Sequence, residues 1–383
     1  MSNDCQQHFR KVLAAIILAI LGLAGIIGGS PIIVRVVQDQ AFERYHNDLA
    51  YYWAPVWYQD TYPDIDGEFG LIYDYITNFD YDGDWAGNNN SDNIGLFPLP
   101  AYIYYSIVET AAHWFIGYYD YHPLDWNLPS IHWHENDMEG VLLVINKTEG
   151  VEWGEFLCMV TEAHAEFWQY IDEQTAPSNS VEQWAGPDVL YSEDIDGDVE
   201  WTFIEPYPLA ILFSDHAHLK VFVESRGHGV YGEGADAYRY PILDAERYDE
   251  NWNGENFPLD RGIIYYPSSI AEEPRQREDN PNLYEAGYAL INIEVLWNRR
   301  FDIGDGCTFA SPYAFEGNDG KPNAANPPWG WDDLDDSLWT TTDLLPSNKG
   351  EIFYHPARLI AIHFDILGWP EIEDIIYTYN PFT

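Results

Sequence analysis

Between Lys11 and Arg35 the chain runs for 23 residues without a charged side chain, VLAAIILAILGLAGIIGGSPIIV. As a helix this run is long enough to cross about 30 Å of hydrocarbon. It predicts an N-terminal transmembrane anchor over residues 12–34, or a signal segment, because Gly28-Gly29-Ser30 supply small residues near its end. Arg10 and Lys11 on one flank and Arg35 on the other give only a weak positive-inside bias toward a cytoplasmic N-terminus. Removing Arg10, Lys11, Arg35 and Asp4 from the 17 basic and 64 acidic residues of the chain leaves 14 against 63, a net −49 that must fold in water. The expected order is a tail (1–11), the membrane segment (12–34), a juxtamembrane helix or linker (35–50) and a single acidic β-rich domain (51–383). A single-pass membrane protein results, its large domain outside the cell or on a virion surface. The sequons at Asn89 and Asn146 are compatible with that exposure.

An apolar fraction of 46% excludes a disordered acidic tail, because such chains cannot bury enough surface to offset their ordering entropy. The net charge of −47 excludes a nucleic-acid surface, which needs clustered Lys and Arg. Acids are spread through every segment and only 5 of the basic residues are Lys. That pattern points to a halophilic source, where a Debye length of roughly 3 Å at 1 M salt screens self-repulsion. Cations and neutral ligands remain as partners; the oligomeric state is not indicated. Cys5, Cys158 and Cys307 form no CxxC pair and no disulfide framework, and Cys158 and Cys307 read as buried, inert thiols.

Runs 101–119, 140–146, 156–171 and 218–224 are rich in β-branched and aromatic residues and are bounded by Gly, Pro, Asp or Asn, so they read as strands. Residues 140–145 are apolar on both faces, as in a strand inside a sandwich. The run 356–367 reads as a helix, opening on Pro356 and closing at Gly368. Residues 303–350, dense in Gly, Pro, Asn and Asp, read as a long ordered loop region anchored by Trp329, Trp331 and Trp339. The fold class expected is mainly β, a β-sandwich with long ordered loops and a few peripheral helices.

Residues 120–140, DYHPLDWNLPSIHWHENDMEG, concentrate the chemistry. Asp137 and Glu139 are two apart, so on a strand both carboxylates point to one face, and His134 can fold back from the preceding loop. An oxygen-rich set with one imidazole suits magnesium, manganese or calcium better than structural zinc. The alternative for the same residues is a hydrogen-bonded acidic turn.

Three segments in order, Ala54-Pro55-Val56, then Trp133-His134-Glu135-Asn136-Asp137-Met138-Glu139-Gly140-Val141, then Gly227-His228-Gly229-Val230-Tyr231, carry a resemblance to known families. They resemble the vacuolar-protein-sorting-associated superfamily with its WHxxDWExV signature. They are also similar to the necrosis- and ethylene-inducing peptide-like proteins, whose central heptapeptide ends in H-D-W-E. The latter resemblance implies a β-sandwich cytolysin fold, a divalent cation in an acidic cleft and sphingolipid head groups as ligands. It places His134, Asp137 and Glu139 on the family's imidazole and two carboxylates, and Asp125, after WFIGYYDYHP, on a further upstream aspartate. The sequence departs in having Met138 where the signature has Trp, and the second His of the heptapeptide has no counterpart.

His228, between two glycines, is a cleft candidate or else a turn residue. His113 and His164 lie in aromatic runs and read as core histidines. Asp80–Asp84 and Asp194–Asp198 alternate carboxylates as calcium loops do, yet Val199 stands where an EF-hand needs glycine. No GxSxG, HExxH, P-loop or dinucleotide fingerprint is present. The reading is therefore a surface-exposed binder of a lipid head group or glycan through a divalent cation. Its alternatives are a metal-dependent hydrolase of a phosphodiester or glycan and a structural envelope protein.

Overall fold

A computed structural model describes residues 31–61, 70–126, 134–163, 166–172, 181–183, 197–204, 216–232, 262–281, 283–304, 313–317, 326–331, 349–366 and 368–383. Two compact units are distinguished, Met1–Leu49 and Ala50–Thr383. A helix spans Pro31–Trp53, with no Gly or Pro after its first residue, and stops before Pro55, whose ring disfavours helical backbone at Ala54. Residues 35–50 are thus helical. Of the expected membrane segment, 12–30 lie outside the described residues and 31–34 begin this helix. No described helix is long and apolar enough to cross a membrane.

The strands are β1 Val56–Gln59, β2 Tyr102–Thr110, β3 His113–Asp125, β4 His134–Asn146, β5 Glu155–Ala163, β6 Glu166–Ile171, β7 Val181–Gln183 and β8 Gly197–Asp198. There follow β9 Trp201–Phe203, β10 Ala217–Val223, β11 Val230–Tyr231, β12 Gly262–Pro267, β13 Arg275–Gln276, β14 Leu283–Asn292, β15 Phe364–Ile366 and β16 Tyr377–Tyr379. The main sheet runs β11-β10-β1-β12-β14-β2-β3-β4-β5-β6-β8. It curls until its β11 end meets β5 and β6. Tyr231 sets its ring edge-on to Trp168 at 5.5 Å, and a Cβ on Gly232 would come within 2.6 Å of the Tyr170 ring. The expected β-rich fold is present, and its described strands join into one curled sheet plus the β7–β15 pair.

Alternation along β2–β5 creates two apolar layers. On the outer face Tyr119, Tyr121, Met138, Leu142 and Phe167 pack with Trp329, Trp331, Phe353 and the helix Pro356–His363. Trp329 and Trp331 are buried in this layer, while Trp339 and most of the expected loop region, 305–312, 318–325 and 332–348, lie outside the described residues. On the inner face Tyr118, Trp57, Tyr265 and Tyr288 are fully buried, and each tyrosine hydroxyl reaches backbone: Tyr118 donates to the Ala50 carbonyl at 2.6 Å and Tyr288 to the Pro55 carbonyl at 2.6 Å, while Tyr265 accepts from the Ile76 N–H at 3.2 Å. Burying a ring while pairing its hydroxyl retains the hydrophobic gain without an orphaned polar atom.

Three expectations need correction. The runs 101–119 and 156–171 each hold two antiparallel strands, β2–β3 and β5–β6, the first pair turning at Ala111-Ala112, which carry none of the usual turn residues. The helix expected over 356–367 ends at His363; Phe364 is extended (φ −127°, ψ 140°), and Phe364–Ile366 find backbone partners in β7. His134 is not in a loop but opens β4. Cys158 is buried, and burial pushes its thiol up, as an inert core thiol requires.

Candidate functional site

The inner face of the curled sheet becomes polar at one end. In the antiparallel β3–β4 ladder Asp120 lies opposite Glu139, His122 opposite Asp137, and Asp125 opposite His134. Opposed residues share a face with Cβ atoms about 5 Å apart, so each pair sets an acid beside an acid or an imidazole. A Cβ on Gly140, next to this cluster, would lie 2.3 Å from the Tyr118 carbonyl oxygen; only glycine admits so close an approach between the strands.

His134 and Asp137 are three residues apart and on a regular strand would face opposite ways. Asn136 breaks the alternation with a left-handed φ of 59°. Its buried side chain points outward and holds the kink: Oδ1 accepts from Tyr121 Oη at 2.7 Å and Asn90 Nδ2 at 2.8 Å, and Nδ2 donates to the carbonyls of Gly87 at 2.7 Å and Glu316 at 2.5 Å. His134 and Asp137 thereby come within electrostatic reach of each other.

The loop after β10 supplies the third wall. Arg226 and His228 both have left-handed backbone, φ 69° and 56°, around Gly227. Non-glycine residues in that region cost about 1–3 kcal/mol each and persist where the surroundings over-determine them. Here the His228 ring is fixed on three sides. Its Nδ1 lies 2.8 Å from Asp137 Oδ2, its Nε2 faces Asp74 Oδ1 at 3.4 Å, and its plane stacks on His122 at 3.7 Å.

Charge follows from this packing. Burial opposes a proton on His228, but Asp137 and Asp74 outweigh it and push its pKa up to about 10. Burial and then the His228 charge push His122 down, against Asp120. Burial would raise Asp137, yet the His228 hydrogen bond and the charge of His134 hold it below the usual carboxylate range. His134, beside Asp125 at 3.2 Å, is raised despite its burial. Burial, then the carboxylates of Glu162, Asp137, Glu224 and Asp120, push Glu139 well above the ordinary range. Asp120 Oδ1 and His122 Nδ1 are buried without a hydrogen-bond partner among the described residues. The side chain of His134 is 19% exposed and that of Asp125 7%, against 0% for His228, so the cluster meets solvent at the Asp125–His134 end.

Asp125, His134, Asp137, Glu139 and His228 thus converge on one site. Sequence reasoning missed Asp74, Asp120, His122, Glu162 and Glu224. Asp120 and His122 alternate as Asp137 and Glu139 do, and a hairpin register drawn through residues 120–140 pairs them; no local signal marks Asp74. The Asp80–Asp84 segment is a hydrogen-bonded turn: the Asp84 N–H donates to Asp82, the Ala86 N–H to Asp84, and Asn93 Nδ2 to Asp82 at 2.6 Å. Of its counterpart, Asp194–Asp196 lie outside the described residues, as does His164. His113 is half-buried at the start of β3, its ring 4.4 Å from Trp369.

The donor set, carboxylates with one imidazole, fits a hard divalent cation in chemistry. As the side chains stand, His134 leans on Asp125 and Asp137 on His228, and among the described residues no group of three or more His, Cys, Asp or Glu is arranged to hold a metal ion.

No family model matches the chain, so the vacuolar-sorting resemblance rests on its motif residues alone. No curated protein matches either. Among solved structures, the chain is similar to one described as "Toxin fold for microbial attack and plant defense", at 13% identity over 50% of this chain and 69% of that one, with a TM-score of 0.27. It is similar to NLPPya in complex with mannosamine, at 14% identity over 50% and 67%, TM-score 0.26. A third is Necrosis and Ethylene inducing Protein 2 from the causal agent of cocoa's Witches Broom disease, at 15% identity over 47% and 74%, TM-score 0.23. These neighbours are necrosis- and ethylene-inducing toxins at low identity.

Proposed function

We propose that the chain is a membrane-anchored, surface-exposed binding protein. Its β-rich domain holds a divalent cation (calcium, magnesium or manganese) through Asp125, His134, Asp137 and Glu139 and, through that cation, a glycan or lipid head group. One observation carries the reading: five carboxylates, Asp120, Asp137, Glu139, Glu162 and Glu224, gather in one buried region, where burial and then the charge of the other four push Glu139 well above the ordinary carboxylate range. Carboxylates gathered at such a cost are the usual raw material of a hard-cation site. The solvent-reaching Asp125–His134 edge gives a ligand access to it. An apolar run of 23 residues supports the anchor.

Three experiments test the reading. A cation bound only to the folded state adds roughly 2.7 kcal/mol at a hundredfold excess over its Kd. Thermal melts with and without calcium, magnesium or manganese should show that rise in the wild type and lose it in Asp137→Asn; an equal response in both removes the cation from this site. Glucosamine, mannosamine and sphingolipid vesicles are the first ligands to titrate, with and without chelator, and binding indifferent to chelator contradicts a cation-mediated head-group site. Carbonate extraction of the full-length chain tests the anchor, which release into the supernatant contradicts.

A further inference from the structure

Asp74 lies outside the proposed ligand set, 63 residues before Asp137, yet it is fully buried at the back of the same site. One of its oxygens, Oδ1, is the convergence point of three groups from two other segments. The Arg226 N–H donates to it at 2.9 Å, Trp126 Nε1 donates at 3.2 Å, and His228 Nε2 faces it at 3.4 Å. The Arg226 guanidinium in turn sits 4.7 Å over the Trp126 ring, and the Trp126 N–H bonds the Arg226 carbonyl at 3.2 Å, so the loop and the end of β3 are locked around this carboxylate. On its far side His228 grips Asp137 Oδ2 through Nδ1 at 2.8 Å. The imidazole is also stacked on His122, with the two planes 2° apart.

We propose that Asp74 is a positioning residue for the cation site: through His228 it fixes which oxygen of Asp137 is occupied and so presents the other, Oδ1, to the ion. The inference rests on the cation reading above. It is the arrangement by which outer carboxylates orient an inner ligand in metal sites, here with a histidine between two carboxylates, and loss of such an outer partner weakens metal affinity about 10–100-fold. It also accounts for the two left-handed residues, Arg226 and His228: the first aims its N–H at Asp74, and the second sets the ring between the two acids. Backbone strain of this kind is expected where a side chain must be held in one orientation.

Calorimetric titration of calcium into chelator-treated full-length protein tests this. Asp74→Asn keeps an oxygen to accept from Arg226 and Trp126 but loses the charge facing His228. The expected result is a metal-free melting temperature close to wild type with calcium affinity weakened 10–100-fold. In a His228→Gln background the same Asp74→Asn change should cost no further affinity, a non-additivity that a merely structural role would not produce. Wild-type affinity in Asp74→Asn, with binding abolished in Asp137→Asn, overturns the inference and leaves the cation reading standing; unchanged binding in Asp137→Asn overturns both. If Asp74→Asn does not fold, His228→Gln alone reads the relay: weakened binding is expected, and wild-type affinity overturns it.

Discussion

His122 and His228 lie face to face, ring centroids 3.7 Å apart and planes within 2°, and only one of the two is set up to carry charge. The asymmetry has a plain cause: His228 faces two carboxylates in contact, Asp137 and Asp74, while His122 contacts only Asp120, feels Asp137 from further off, and has burial and the charge of its neighbour against it. Removing that neighbouring charge in His228→Gln should let His122 bind a proton at higher pH. Its ring titration, followed by NMR, is the check; an unmoved titration contradicts the charge assignment.

The kink at Asn136 is what brings His134 and Asp137 to one side of β4. Asn136→Ala leaves the left-handed backbone strained and strips partners from Tyr121, Asn90, Gly87 and Glu316. Each buried group left unsatisfied costs about 1–3 kcal/mol, so a loss of about 3 kcal/mol or more is expected in chemical denaturation, with cation affinity falling alongside. Stability within 0.5 kcal/mol of wild type is the contrary result.

Acid stability carries a separate signature at His113. Burial pushes its pKa down to about 4, below the 6.5 of the unfolded chain. A depressed histidine binds its proton more readily when unfolded, so its share of stability is full above about pH 6.5 and is lost as pH falls toward 4. His113→Phe keeps a ring against Trp369 and should flatten the stability curve across that window, by about 2 kcal/mol at its lower end. A slope identical to wild type contradicts this.

The net −49 beyond residue 35 predicts that folding depends on salt. The melting temperature should rise from dilute buffer to molar potassium chloride, as screening shortens to roughly 3 Å. An unchanged midpoint sinks the halophile reading.

Much of the sheet is legible in the sequence because β-branched and aromatic runs such as GVLLVIN have no competing periodicity. The hairpin at Ala111-Ala112 is not, since neither residue is a turn former and the sharp reversal is imposed by β2–β3 pairing. At the site, Asp137 and Glu139 are visible from spacing alone. Asp120 and His122 need the β3–β4 register, which follows from long-range pairing. Asp74 and His228, 154 residues apart, meet only because the sheet curls, and the left-handed backbone at Asn136 is set by four contacts from distant segments.

The proposed function stands on these side chains holding a divalent ion. Crystals soaked in manganese, measured near its absorption edge, test it directly. A single strong anomalous peak is expected in contact with Asp125, His134, Asp137 and Glu139; a well-ordered site with no peak there, or a peak bound elsewhere in the domain, contradicts the cation site.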